Sequence, residues 1–133
     1  METILVVDRE PIIRSFIRHQ VEGHCEILEA TSPMEVLDIC RTHPEIDLLI
    51  CDADLGLVSG MELASLIRAW NCKLRTILTS DVPCDCWTQR QETELGELPP
   101  DDVLILERPF TSKELKAAVT SLMQQDVQVV GAV

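Results

Sequence analysis

Two spacings of apolar residues alternate along this chain. Residues 3–8 (TILVVD), 47–52 (DLLICD) and 103–107 (VLILE) are nearly unbroken apolar runs, which predict strands buried on both faces of a sheet. Residues 24–30 (HCEILEA) and 73–79 (KLRTILT) predict two more strands. Between the runs, apolar residues recur at helical spacing. Ile12, Ile13, Phe16, Ile17 and Val21 give one face to a helix over 11–22. Val36, Leu37, Ile39 and Cys40 do so up to about His43. Leu63, Ala64, Ile67 and Trp70 mark a third helix, and Leu115, Ala118, Val119, Leu122 and Met123 a last one.

The helix ends are signalled too. Pro11 fits a first helical turn, where its missing N–H is no loss. The stretches SPME (Ser32 to Glu35), SGME (Ser59 to Glu62) and TSKE (Thr111 to Glu114) have the form of capping boxes, and Pro44 stops the second helix. Residues 80–102 have a thin apolar pattern closed by Pro99–Pro100, which predicts a short or irregular fourth helix. Strands alternating with helices predict an α/β fold, a five-stranded parallel sheet covered on both faces. No repeat or linker interrupts it. The expected organisation is one domain over 1–125, a short tail at 126–133 (DVQVVGAV), and no output domain.

Composition narrows the function. The 133 residues carry a formal net charge of −12, which makes direct binding to nucleic-acid phosphates a poor expectation. No apolar run approaches the ~20 residues that span a bilayer, and the N-terminus lacks a secretory pattern, so a cytoplasmic location is expected. Of the six cysteines, Cys25, Cys40 and Cys51 lie in apolar or periodic stretches, where cysteine acts as a small hydrophobe. Cys84 and Cys86 form a C-x-C pair without a second pair at zinc-ligand spacing. His19, His24 and His43 are scattered, and Trp70 and Trp87 read as packing residues.

In a doubly wound sheet, ligands sit at the carboxyl ends of the strands. There the chain has Asp8 with Arg9 and Glu10, Asp52 with Asp54, Thr79 with Ser80, and Arg108 before Pro109. A carboxylate in such a cleft can attack a phosphoryl donor. A cation and a hydroxyl opposite it can hold the phosphoryl oxygens.

Four segments in order (ILVVDREP, DLLICDADLGLVSGMEL, TILTS and ERPF) resemble those of response-regulator receiver domains of two-component signalling, over residues 3 to about 124. The resemblance implies a flavodoxin-like (βα)5 fold and places Asp52 as phosphoacceptor, with Asp8 as the retained member of an acidic pair. It implies Thr79 as the switch residue, and Arg108 as the cation that contacts the phosphoryl group. Asp8, Asp52 and the backbone carbonyl of Asp54 would ligate Mg2+, and the Arg108–Pro109 peptide would be cis. A sensor histidine kinase or phosphotransfer protein would be the donor, an unidentified protein would receive the signal, and a homodimer is possible in the family.

Three positions depart from the pattern. Arg9 stands where a second aspartate is usual, which should weaken Mg2+ binding. Arg108 replaces the family's lysine. Ile105 stands where an aromatic switch residue is usual. These departures support a second reading, a phosphorylation-independent interaction module in which Arg9 replaces the metal's charge by a standing ion pair with Asp8 or Asp52. A third reading is an enzyme, since LLICDADLGL also resembles the D-x-D motif of haloacid-dehalogenase-type phosphatases. It is weakened because Asp101–Asp102 precede a strand instead of following one.

Overall fold

The computed structural model describes residues 2–23 and 25–123; the expected tail at 126–133 lies outside the described residues. Strand β1 (Glu2–Val7) is followed by helix α1 (Pro11–Val21), then β2 (Cys25–Ala30), α2 (Pro33–Thr42), β3 (Leu48–Asp52), α3 (Gly60–Arg68), β4 (Arg75–Ser80), α4 (Gln89–Gly96), β5 (Val103–Glu107) and α5 (Ser112–Met123). The strands form one sheet in the order β2-β1-β3-β4-β5, and every pairing is parallel. The flavodoxin-like α/β expectation therefore holds.

Period-two alternation divides each strand between two cores. Ile4, Val6, Leu48, Ile50 and Ile77 pack with Ile17, Leu115 and Leu122 of α1 and α5. Leu5, Val7, Leu49, Cys51 and Leu78 pack on the other face with Val36, Met61, Leu63 and Ile67. Both faces are covered, as solid apolar runs require. β5 falls short of that expectation. It is the sheet's edge, so Val103 to Leu106 are only half-buried. Ile105, at the position of the usual aromatic, packs partly against the α2–α4 side.

Pro11 opens α1 at its first position. Ser59 and Glu62 close a full capping box on α3. Thr111 and Glu114 do the same at α5, with bonds of 3.0 and 3.1 Å. At α2 only half of the expected box forms. The Ser32 hydroxyl accepts from the Glu35 N–H at 3.3 Å, but the Glu35 carboxylate takes the Thr31 hydroxyl instead. Residues 80–102 contain a 3-10 turn at Cys84–Cys86, the eight-residue α4 and a second turn at Pro100–Asp102. The short, irregular fourth helix is thus present, and a capping box from Thr88 and Gln91 starts it.

Two apolar residues do not pack as their periodicity predicts. Ile12 is 81% exposed, and Trp70, just past α3, is 65% exposed. Trp87 is buried as expected.

Candidate functional site

Asp8 follows β1 directly, and Asp52 is the last residue of β3. The two strands are neighbours, so both carboxylates arrive at the same edge of the sheet. Both are buried. Thr79 is the register partner of Asp52 on the next strand, β4. Arg108 comes from the far side, one residue past β5, with its main-chain N–H on the Ser80 carbonyl at 2.8 Å.

The chain turns sharply after each aspartate, and the carboxylate itself stabilises the turn. Asp8 Oδ1 accepts from the Glu10 N–H at 2.8 Å, and Asp52 Oδ1 accepts from the Asp54 N–H at 3.0 Å. These are Asx-type turns, in which a short carboxylate satisfies a main-chain donor two residues on. Arg14 anchors the first turn by donating to the Asp8 carbonyl at 2.7 Å, and Arg14 is itself held by Glu29 at 3.3 Å. Behind Asp52, a Cβ on Gly60 would collide with the Asp52 carbonyl oxygen. Only glycine lets the start of α3 approach this closely. Asp54 turns its own carboxylate away from the cleft, to the Gly56 N–H at 2.9 Å.

The centre of the site is the Arg108 guanidinium. Its three nitrogens each meet a different carboxylate: Nη1 to Asp8 Oδ2 at 3.1 Å, Nη2 to Asp52 Oδ1 at 3.2 Å, and Nε to Asp81 Oδ1 at 2.9 Å. The Arg108 side chain is 12% exposed, and Asp81 is 76% exposed. A planar fork meets three acceptors from three separate nitrogens in fixed directions, whereas an ammonium would have to serve all three from one nitrogen.

Burial pushes the Asp52 carboxyl above its ordinary range. The Asp54 N–H and the Arg108 charge pull it down, and the Asp8 charge adds to the rise. Burial lowers the Arg108 pKa, but the charges of Asp52 and Asp81 more than offset this and leave it raised. Asp52 Oδ2 carries no hydrogen bond from the described residues. The Thr79 hydroxyl is also buried without a hydrogen-bond partner among the described residues, as is that of Thr76 three residues earlier. A free carboxylate oxygen, a buried unpartnered hydroxyl and a fixed cation are the elements of a phosphoryl-accepting site.

The residues expected at the site are thus partly brought together. Asp8, Asp52, Thr79 and Arg108 line one edge, and Arg108–Pro109 is a cis peptide. Arg9 does not join them. It is exposed and forms no ion pair with Asp8 or Asp52; the nearest landmark is Gly56, whose Cβ position lies 3.6 Å from an Arg9 nitrogen. The expected Arg9 ion pair is therefore corrected to one made by Arg108. Strand alternation turns Asp8 inward and Arg9 outward, and the Asp8 turn holds the chain there. The residue that sequence reasoning missed is Asp81. Its signal was an aspartate directly after the Thr79–Ser80 strand end.

A divalent cation would find few free ligands. Among the described residues no group of three or more His, Cys, Asp or Glu side chains is placed to hold a metal ion. The facing oxygens of Asp8 and Asp52 are both taken by Arg108. With those oxygens engaged, Asp52 Oδ2 and the expected Asp54 main-chain carbonyl are the donors left to a divalent cation. The D-x-D phosphatase reading also lacks its second acidic pair. Asp101 and Asp102 precede β5, at the opposite edge of the sheet, where Asp102 pairs with Arg68 at 3.3 Å.

Beside Arg108 lies an open cleft of about 490 Å³, lined by Ile12, Ile13, Phe16 and Phe110. No helix among the described residues is long and apolar enough to cross a membrane.

Comparison with known proteins agrees with this fold. The chain is 29% identical over 133 residues to the transcriptional regulatory protein YvrH of Bacillus subtilis, covering 95% of this chain and 51% of that protein. It is 26% identical to the heme response regulator HssR of Staphylococcus saprophyticus, covering 94% and 53%. A chemotaxis protein CheY homolog of Campylobacter jejuni matches at 31% over 68 residues, half of this chain and 52% of that protein. The chain therefore spans about half the length of the curated relatives it matches. In fold it resembles a receiver domain protein from Methanospirillum hungatei (TM-score 0.77, 18% identity, 96% of this chain and 98% of that one). It also resembles the receiver domain of an HD-domain protein from Pseudomonas fluorescens (TM-score 0.76, 21% identity, 96% and 90%). The family model for the response regulator receiver domain matches residues 4–120, and the chain belongs to that family.

Proposed function

We propose that this receiver domain accepts a phosphoryl group on Asp52 and signals by protein contact. The observations that carry the reading are an Asp52 carboxylate with one oxygen on Arg108 and the other, Oδ2, without a hydrogen bond from the described residues, and the unpartnered hydroxyl of its register partner Thr79. Receiver domains are typically signalling modules, not enzymes, and work with histidine kinases or phosphotransfer proteins. Asp52 Oδ2 attacks the phosphorus of a phosphohistidine on such a partner. The O–P bond forms as the P–N bond breaks, the electron pair leaves on the imidazole nitrogen, and that nitrogen takes a proton from solvent. The exposed Ile12 and the apolar cleft beside Arg108 offer the donor protein a landing surface. Arg108 and Thr79 then hold the phosphoryl oxygens.

The signal leaves through the ends of β4 and β5, whose residues Thr79 and Leu106 are register partners. Exposure to acetyl phosphate tests the reading. The expected result is an acid-stable, base-labile adduct on Asp52, absent from D52N; no adduct on Asp52 under any condition refutes it.

A second reading is favoured by one observation. The standing bridge from Arg108 to Asp8 and Asp52 holds the pocket in one arrangement without any ligand. In that reading the domain is a phosphorylation-independent interaction module. Partner affinity of the wild type left unchanged by acetyl phosphate treatment would select it.

A further inference from the structure

Members of this family generally bind Mg2+ at the acidic pocket. We infer that in this chain the Arg108 guanidinium is the pocket's resident cation, and that it excludes Mg2+ from the space between Asp8 and Asp52. The inference deepens the phosphoacceptor reading and rests on it only for its consequence, metal-free modification of Asp52.

Four carboxylate oxygens of Asp8 and Asp52 could serve a metal. Asp8 Oδ1 is engaged by the Glu10 N–H, Asp8 Oδ2 by Arg108, and Asp52 Oδ1 by both Arg108 and the Asp54 N–H. One carboxylate oxygen, Asp52 Oδ2, is left, beside the main-chain carbonyl of Asp54. Mg2+ demands near-octahedral oxygen ligation at about 2.0–2.1 Å and gives up water reluctantly. To bind, it would have to strip two charge-assisted hydrogen bonds and sit beside a fixed positive charge.

A lysine in this place could swing aside or lose its proton. Arg108 can do neither easily. Its guanidinium does not deprotonate, its side chain is nearly buried, and its Nε is held from outside by Asp81 at 2.9 Å. Asp81 is thus a positioning residue for the internal cation. Arg9, on the rim near Gly56, adds a second positive charge to the approach.

The test begins with Mg2+ alone, titrated into the wild-type protein while the amide NMR signals of Asp8, Asp52 and Asp54 are followed. The expected result is no saturating shift into the millimolar range. A saturating shift at these three amides overturns the inference. R108A and R108K are then titrated in the same way, and the inference expects saturable Mg2+ binding at least about tenfold tighter than in wild type. Folded R108A and R108K proteins that bind Mg2+ no better than wild type overturn it; if neither folds, the wild-type titration decides.

Acetyl phosphate, with Mg2+ and with a chelator, separates this inference from the phosphoacceptor reading. Equal Asp52 adduct in both supports both. Adduct only with Mg2+ overturns the resident cation and leaves the phosphoacceptor reading standing. No adduct in either, with Mg2+ still absent from the titrated amides, refutes the phosphoacceptor reading and supports the exclusion.

Discussion

The loops after β1 and β5 each bring an arginine to the same edge of the sheet, and they use it in opposite ways. Arg9 follows an inward-facing aspartate and so faces out. Arg108 follows the edge strand, and from there its long side chain lies back across the end of β4 to reach Asp52 and Asp8. The residue beside the acidic pocket in sequence is outside it in space, and the residue a hundred positions away is at its centre. Proximity along the chain is a weaker guide than strand order and alternation.

This contrast can be broken most directly at Arg108. R108A leaves Asp8 and Asp52 as two buried carboxylates without their counter-charge, and should lower stability by about 3 kcal/mol in urea unfolding. R108K keeps the charge but loses the three-way fork, and should cost about half of that. A full rescue by lysine would show that charge alone matters, and that the fork does not.

D52N acts in the other direction. Burial raises the Asp52 carboxyl in the folded state. A group with a raised folded value contributes stability that is full below its unfolded value and is lost as pH rises through the folded one. D52N should therefore match wild type at strongly acid pH and exceed it at neutral pH, by a few degrees in thermal melting. A variant less stable than wild type at neutral pH would mean that the Arg108 attraction outweighs burial.

D81N removes an exposed partner, and screening by solvent limits its effect to about 0.5 kcal/mol. R9A should be the smallest change, unresolved from wild type in the same urea titration. A loss from R9A equal to that from D81N would show that Arg9 does act on the pocket.

Much of the fold was legible because each element announced itself locally. Solid apolar runs gave the strands, and Ser59 with Glu62 and Thr111 with Glu114 gave helix starts that formed as expected. The Thr88–Gln91 box was overlooked because it sits in a polar stretch whose helix buries none of its own residues. Ile12 misled because periodicity alone does not distinguish it from Ile13, which packs against the α1–α5 core. At the site, Asp8, Asp52 and Thr79 were readable from strand ends. The three-way engagement of Arg108, with Asp81 as its outer partner, was not, since it depends on how far a side chain reaches from an edge strand over its neighbour.

The segment after β4 has an optical consequence. The Val82 carbonyl accepts from both the Ser80 hydroxyl, at 2.8 Å, and the Trp87 indole N–H, at 3.1 Å. Ser80 directly follows Thr79, so any displacement of the strand end is transmitted to a buried indole through a single oxygen. The other tryptophan, Trp70, is solvent-exposed beyond α3, so its emission is expected at the red edge. Blue-edge emission is therefore expected to follow displacements of the Thr79–Ser80 strand end, with no label added.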